Sequence, residues 1–289
     1  MDANEVISRH ISMSNKGMMR PLRLIILLLL QYRVIGAWRW NPEDEHPCNI
    51  HRTMTFRQVL ETFGPSGIPA LFPEPVILRA SDAFRNEQFR KLTEQEEIVR
   101  WFGEDFNVTL SSSNSLSENR RIVPLKQYID ETVTAKETLP DQLANESWYL
   151  FGETYSEEWS TFLKHYEIPP CYTCSDWPVA LAFGIGNRGS GVQWHMHGPG
   201  FSEAIHGRKH WILYPPKERP DYEKDQSSRQ WMETTYWEVV SKPLECTLHP
   251  GDLIYFPDKW HHATINLDTY TVFVSAFTTE HNLGLSDEL

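Results

Sequence analysis

The chain has 289 residues, a formal charge of −12 at pH 7, and hydrophobic and charged contents of 40% and 23%. That length buries the core of one large domain or two small ones, and the composition is that of a globular protein rather than a disordered or fibrous one. The acidic balance, without a clustered basic surface, excludes a nucleic-acid binder, because phosphate neutralisation needs grouped Lys and Arg.

The first element is an address. Arg20-Pro21-Leu22-Arg23 is basic, Leu24 to Leu30 is unbroken apolar sequence, and Gly36-Ala37 supplies small residues at a cleavage point. This reads as a secretory signal peptide over residues 1–37, with Met18 or Met19 as alternative starts. The run is too short for a membrane span, which needs about 20 apolar residues, and Arg33 blocks its extension.

Residues 38–147 are expected to form a buttress of helices and strands. Apolar spacing over residues 54–63 predicts a helix with Thr55 as its cap, Pro75–Leu78 a buried strand, and Glu87–Phe102 a second helix. Ser111–Ser117 reads as a surface loop. Asn107-Val108-Thr109 and Asn145-Glu146-Ser147 are glycosylation sequons, Asn107 and Asn145 being acceptors if exposed in a secretory compartment.

Residues 148–285 are expected to form the core. It opens with a helix over Ser156–Tyr166, begun by a serine cap with acidic residues in its first turn. From Trp177 the texture changes to short strands: Val179–Gly186, Gly191–His197, Ser202–His206, His210–Tyr214, Glu245–His249, Asp252–Phe256, His262–Asn266 and Tyr270–Phe277, with a short helix within Trp231–Val240. Many strands at close intervals favour a mostly β jelly roll over a wound parallel sheet. The chain stops at Ser286-Asp287-Glu288-Leu289, one substitution from the Lys-Asp-Glu-Leu retrieval signal. With a signal peptide at the other end, it places the protein in the lumen of the endoplasmic reticulum.

His195 and His197 alternate along one strand and so face the same side, the way a metal site begins. His261 and His262 lie downstream and point to opposite faces of a regular strand, so only one can join them. Metal ligation needs neutral imidazole, and such a site loses metal in acid. Glu203 is a nearby carboxylate whose direction the intervening Gly198-Pro199-Gly200 leaves undefined.

These residues carry a resemblance. His195-Met196-His197, the turn Gly207-Arg208-Lys209 with Trp211, the phrase Pro250-Gly251-Asp252-Leu253-Ile254-Tyr255-Phe256-Pro257 and the following Trp260-His261-His262 resemble the JmjC family of cupin-fold Fe(II)- and 2-oxoglutarate-dependent oxygenases, over about residues 148 to 279. The resemblance implies a double-stranded β-helix buttressed by N-terminal helices, His195 and His262 as iron ligands, and Lys209 on the distal carboxylate of 2-oxoglutarate. Two positions depart from the pattern. His197 stands where the family has an acidic ligand, and Val192 where active relatives often carry a threonine that bonds the co-substrate. Three neutral histidines leave iron more positive and change its redox poise.

The expected cofactors are therefore Fe(II) and 2-oxoglutarate, and the expected partner is a protein substrate or protein partner in the lumen. Two functions are open: a protein hydroxylase, or a non-catalytic JmjC protein acting as an assembly or signalling regulator. Lumenal residence argues against histone demethylation, and homo-oligomerisation is open. Cys171-Tyr172-Thr173-Cys174 lies among prolines and reads as a local loop disulfide or as free thiols rather than a redox site. Cys48 with Cys246 is then the remaining pair.

Overall fold

The structure is a computed structural model and describes residues 48–69, 71–80, 85–112, 120–133, 148–152, 154–169, 180–223 and 226–277. Residues 1–37, expected to be a signal peptide, and Cys171, Cys174, Asn145, Ser286, Asp287, Glu288 and Leu289 lie outside the described residues.

Among the described residues, twelve strands build two sheets. They are β1 (Thr53–Thr55), β2 (Val76–Arg79), β3 (Asn107–Ser112), β4 (Arg120–Pro124), β5 (Trp148–Phe151) and β6 (Ala180–Gly186), then β7 (Gly200–His206), β8 (Lys209–Tyr214), β9 (Leu244–Leu248), β10 (Leu253–Phe256), β11 (His261–Asn266) and β12 (Thr271–Phe277). The larger sheet has the order β1-β2-β10-β7-β12-β6-β5-β3-β4 and the smaller β11-β8-β9. Every pairing is antiparallel except β1 with β2.

Alternation along β12 shows how the layers are filled. Val272 and Val274 pack outward with Ile185, Ile205 and Phe183 against Phe89, Ile98, Trp159 and Phe162 of the helical layer, while Phe273, Ser275 and Phe277 line the space between the two sheets. Such alternation is expected where both faces of a sheet are covered. A second core, of Ala204, Trp211, Leu213, Leu248, Ile254 and Phe256, joins the sheets directly. The helix Phe56–Phe63 starts at Thr55 with a capping box: Thr55 Oγ1 accepts the Gln58 N–H at 3.2 Å and Gln58 Oε1 the Thr55 N–H at 2.8 Å. Ser156 caps Glu157–Leu163 by accepting the Trp159 N–H.

Four expectations are corrected. The helix foreseen over Glu87–Phe102 is two, Glu87–Leu92 and Gln95–Phe102. Thr93 separates them, its hydroxyl donating to the Phe89 and Arg90 carbonyls while Glu94 adopts extended backbone. Residues 107–112, 120–124 and 148–151 are strands that extend the larger sheet, and Ser111 and Ser112 belong to β3. Gly191–His197 is not a regular strand: it meets β11 through a single bridge, His195 with His262. The short helix foreseen within Trp231–Val240 starts earlier, at Ser228–Glu233, and continues as a 3-10 turn at Thr235–Trp237.

Candidate metal centre

Thr264 N–H donates to the Val192 carbonyl at 2.9 Å, and His262 N–H to that of His195 at 2.9 Å. Three steps along one segment therefore match two along the other, which inserts one extra residue at Gln193-Trp194, a bulge. It re-aims His195, the first residue past it. Gly191 makes the approach possible, since a Cβ there would stand 1.8 Å from the Thr264 carbonyl oxygen. Beyond the bridge, Lys259 adopts left-handed backbone, φ 58°, and donates its N–H to the His197 carbonyl at 3.0 Å. That contact ties the turn before β11 to the second histidine.

The result gathers His195, His197 and His262, with one ring nitrogen from each lying within 4.8 Å of the others. His261, the neighbour, is outside this group. Nδ1 of His195 lies 2.7 Å from the Gln193 carbonyl, Nδ1 of His197 2.8 Å from Gly198 O, and Nδ1 of His262 2.9 Å from Trp260 O. A carbonyl only accepts, so each Nδ1 carries the proton and each Nε2 the lone pair. Fixing the tautomer through the opposite nitrogen is the arrangement that metal-ligating histidines use.

The rings are also held in orientation. His262 stacks on Phe256 and Trp211, with centroids at 5.0 and 5.6 Å, and His197 meets the edges of Phe256 and Phe277, each at 5.3 Å. Burial, and then the neighbouring His195 and His197, hold the His262 imidazole well below the ordinary histidine value, in the neutral form a metal needs. A cation bound by the three Nε2 atoms would meet no protein carboxylate in this set.

The remaining foreseen residues fall as follows. Lys209 is fully buried at the start of β8, lines the same cavity as the histidines, and donates from Nζ to Asn266 Oδ1 at 3.0 Å. Its ammonium also lies 3.9 Å above the Phe273 ring. Burial alone pushes its pKa from 10.5 down to about 7. Val192 lines the cavity too, with the hydroxyl residues Thr264 and Ser275. Glu203 points elsewhere: it is buried and receives Tyr166 Oη at 2.7 Å, Asn86 Nδ2 at 3.0 Å and Arg85 Nη2 at 3.2 Å, which fastens the helical layer to β7. Cys48 and Cys246 form a disulfide, and Asn107 is exposed at the start of β3.

Sequence reasoning missed Asn266, which holds Lys209 and donates to Ser190 Oγ at 2.9 Å. Its signal was the register of β11, where Thr264 and Asn266 follow His262 at even spacing.

The cavity between these residues measures about 20 Å³ and is walled by Phe151, Trp211, Phe256, Phe273 and Phe277. That admits an ion or a water molecule, whereas sites for small organic ligands usually offer roughly 300 to 1,000 Å³. The histidines thus suit a metal. A five-carbon dicarboxylate does not fit beside Lys209 with the aromatic side chains as they stand.

Comparison with known proteins agrees with this architecture. Residues 82–281 match the cupin-like domain family. The chain is 34% identical over 275 residues to JmjC domain-containing protein 8 of Mus musculus, covering 89% of this chain and 97% of that protein. It is 36% identical over 250 residues to the protein of the same name in Homo sapiens, covering 84% and 89%. Lysine-specific demethylase JMJ21 of Arabidopsis thaliana is 28% identical over 219 residues, 65% of this chain but 22% of that protein. The chain belongs to the cupin-like JmjC family, in the group that contains JmjC domain-containing protein 8.

Proposed function

We propose that the protein is a metal-binding JmjC protein of the endoplasmic reticulum lumen, in which His195, His197 and His262 hold a divalent first-row metal, Fe(II) being the family's ion. The observation that carries this reading is the common tautomer, three Nδ1 atoms on backbone carbonyls, in three rings that each bring one nitrogen within 4.8 Å of the others. Iron in such a site supplies a Lewis-acidic centre with open positions. The chain's own residues fix the ligand geometry, keep His262 neutral and line the cavity with aromatic side chains. The small cavity and the valine at position 192 favour a protein that binds metal and engages a protein partner without 2-oxoglutarate turnover. Residues 1–37 and Ser286–Leu289 support lumenal residence, and the exposed Asn107 supports glycosylation there, with Asn145 as the second acceptor.

One observation favours a second reading, the Fe(II)/2-oxoglutarate-dependent protein hydroxylase. Lys209 is a buried amine whose partner among the described residues is Asn266, not a carboxylate, in the cavity that the histidines share, and an anionic co-substrate would hold it in the charged form. Anaerobic reconstitution with Fe(II), followed by measurement of succinate formed from 2-oxoglutarate, separates the two. Metal uptake without succinate supports the first reading and succinate formation the second. No metal uptake removes both. In the second case His197→Asp, which restores an acidic ligand, raises turnover.

A further inference from the structure

The disulfide is not placed like a passive staple. Cys246 is wholly buried on β9, while Cys48 is exposed on the strap that leads into β1. The strap lies along β9: the Asn49 N–H donates to Glu245 O at 3.0 Å, and the Asn49 side chain accepts the Glu245 N–H at 2.7 Å and donates to Pro243 O at 3.1 Å. A few residues later β1 pairs with β2 on the larger sheet, so the strap ties the two sheets together.

Arg79, the last residue of β2, sits over the sulfurs. Its Nη2 lies 3.3 Å from Cys246 Sγ and 3.5 Å from Cys48 Sγ. Nη1 turns the other way, to the Asp252 carboxylate and, at 3.3 Å, to the Thr247 carbonyl. Asp252 is itself fixed by the N–H groups of Ala80 and His249, each at 3.0 Å. The guanidinium is therefore clamped on one side and presents its second amino group to the disulfide.

We propose that Cys48–Cys246 is a thiol-exchange site for an external dithiol, with Cys48 the sulfur attacked and Cys246 the leaving group held by Arg79. The incoming thiolate forms a bond to exposed Cys48 Sγ as the Cys48–Cys246 bond breaks, and the electron pair leaves on Cys246 Sγ beside the cationic Nη2. The dithiol's second thiolate then attacks its own sulfur in the mixed disulfide and releases the Cys48 thiolate. The dithiol is oxidised to a disulfide, and the protein gains two electrons and, on protonation, two thiols. A stabilised leaving thiolate speeds exchange, and access selects the sulfur that is attacked. Reduction removes the covalent tie between the strap and β9 and leaves the Asn49 hydrogen bonds to Glu245 and Pro243 as the link between the two sheets at that edge.

The test uses the full-length oxidised protein under native conditions, with reduced glutathione as a monothiol that stops at the mixed disulfide. After acid quench and alkylation, peptide mass spectrometry reads the adduct. The expected result is glutathione on Cys48 and alkylated thiol at Cys246, with opening slowed about tenfold in Arg79→Met, since a charge-assisted hydrogen bond to the leaving sulfur is lost. In urea, where the chain is unfolded, wild type and variant react at one rate. Glutathione on Cys246, equal native rates in wild type and Arg79→Met, or native opening no faster than global unfolding would each overturn the assignment. The adduct position in wild type is decisive even if the variant fails to fold.

Discussion

Lys209 supplies the sharpest quantitative test of the site's electrostatics. Its folded-state pKa is about 7 and its ordinary value 10.5, the lowering being caused by burial. Between those values the unfolded chain holds a proton that the folded chain releases, so stability rises with pH across the window. Well below pH 7 both states are protonated and burying the charge costs about 5 kcal/mol; the cost is about 4 kcal/mol near pH 7.5 and about 2 kcal/mol near pH 9. Lys209→Met removes this dependence. It also orphans Asn266 Oδ1 and loses the contact with Phe273, but those effects are nearly constant over the two pH values and cancel from the difference between them. Urea denaturation of both proteins at each pH should therefore show wild type gaining about 2 kcal/mol relative to Lys209→Met between pH 7.5 and pH 9. Parallel stability curves would refute the reasoning, because they would mean that the folded lysine keeps its ordinary affinity for the proton.

Three further outcomes follow from the packing. Gly191→Ala leaves all three histidines intact but forces a methyl against the Thr264 carbonyl, so metal titration should show affinity falling at least tenfold through loss of the His195–His262 pairing, roughly 1.4 kcal/mol. Glu203→Ala strands Arg85, Tyr166 and Asn86 around a buried gap and should cost about 3 to 5 kcal/mol in urea denaturation, with Glu203→Gln costing less. Cys48→Ser opens a disulfide of sequence separation 198 and should lower stability by roughly 3 to 5 kcal/mol, read by thermal denaturation without reductant.

Much of the β core was legible because its strands are short, apolar and punctuated. From β6 to β12 the expected limits fall within about two residues of those observed, β7 beginning at Gly200 rather than Ser202. Asn107–Ser112 escaped notice although its burial alternates with period 2, since polar residues occupy its outward positions and read as a loop. The bulge before His195 left no periodic trace, because the extra residue is counted only against β11, a partner distant in sequence. The histidines themselves could be read from spacing and resemblance. Their shared tautomer could not, since it depends on three backbone carbonyls that only the folded chain brings to hand. Lys209 shows the same limit: the resemblance gave it a role toward a co-substrate, but its burial and its bond to Asn266 depend on the inward pleat of β8 and its pairing with β11.

His195, His197 and His262 are expected to form one metal centre. Titration of the apo protein with Fe(II) under anaerobic conditions, followed by metal analysis, tests it directly. One equivalent should bind near neutral pH, be lost in His195→Ala and His262→Ala, and be released on acidification as the imidazoles take up protons. Failure of the wild-type protein to bind, or equal binding by both variants, would contradict it.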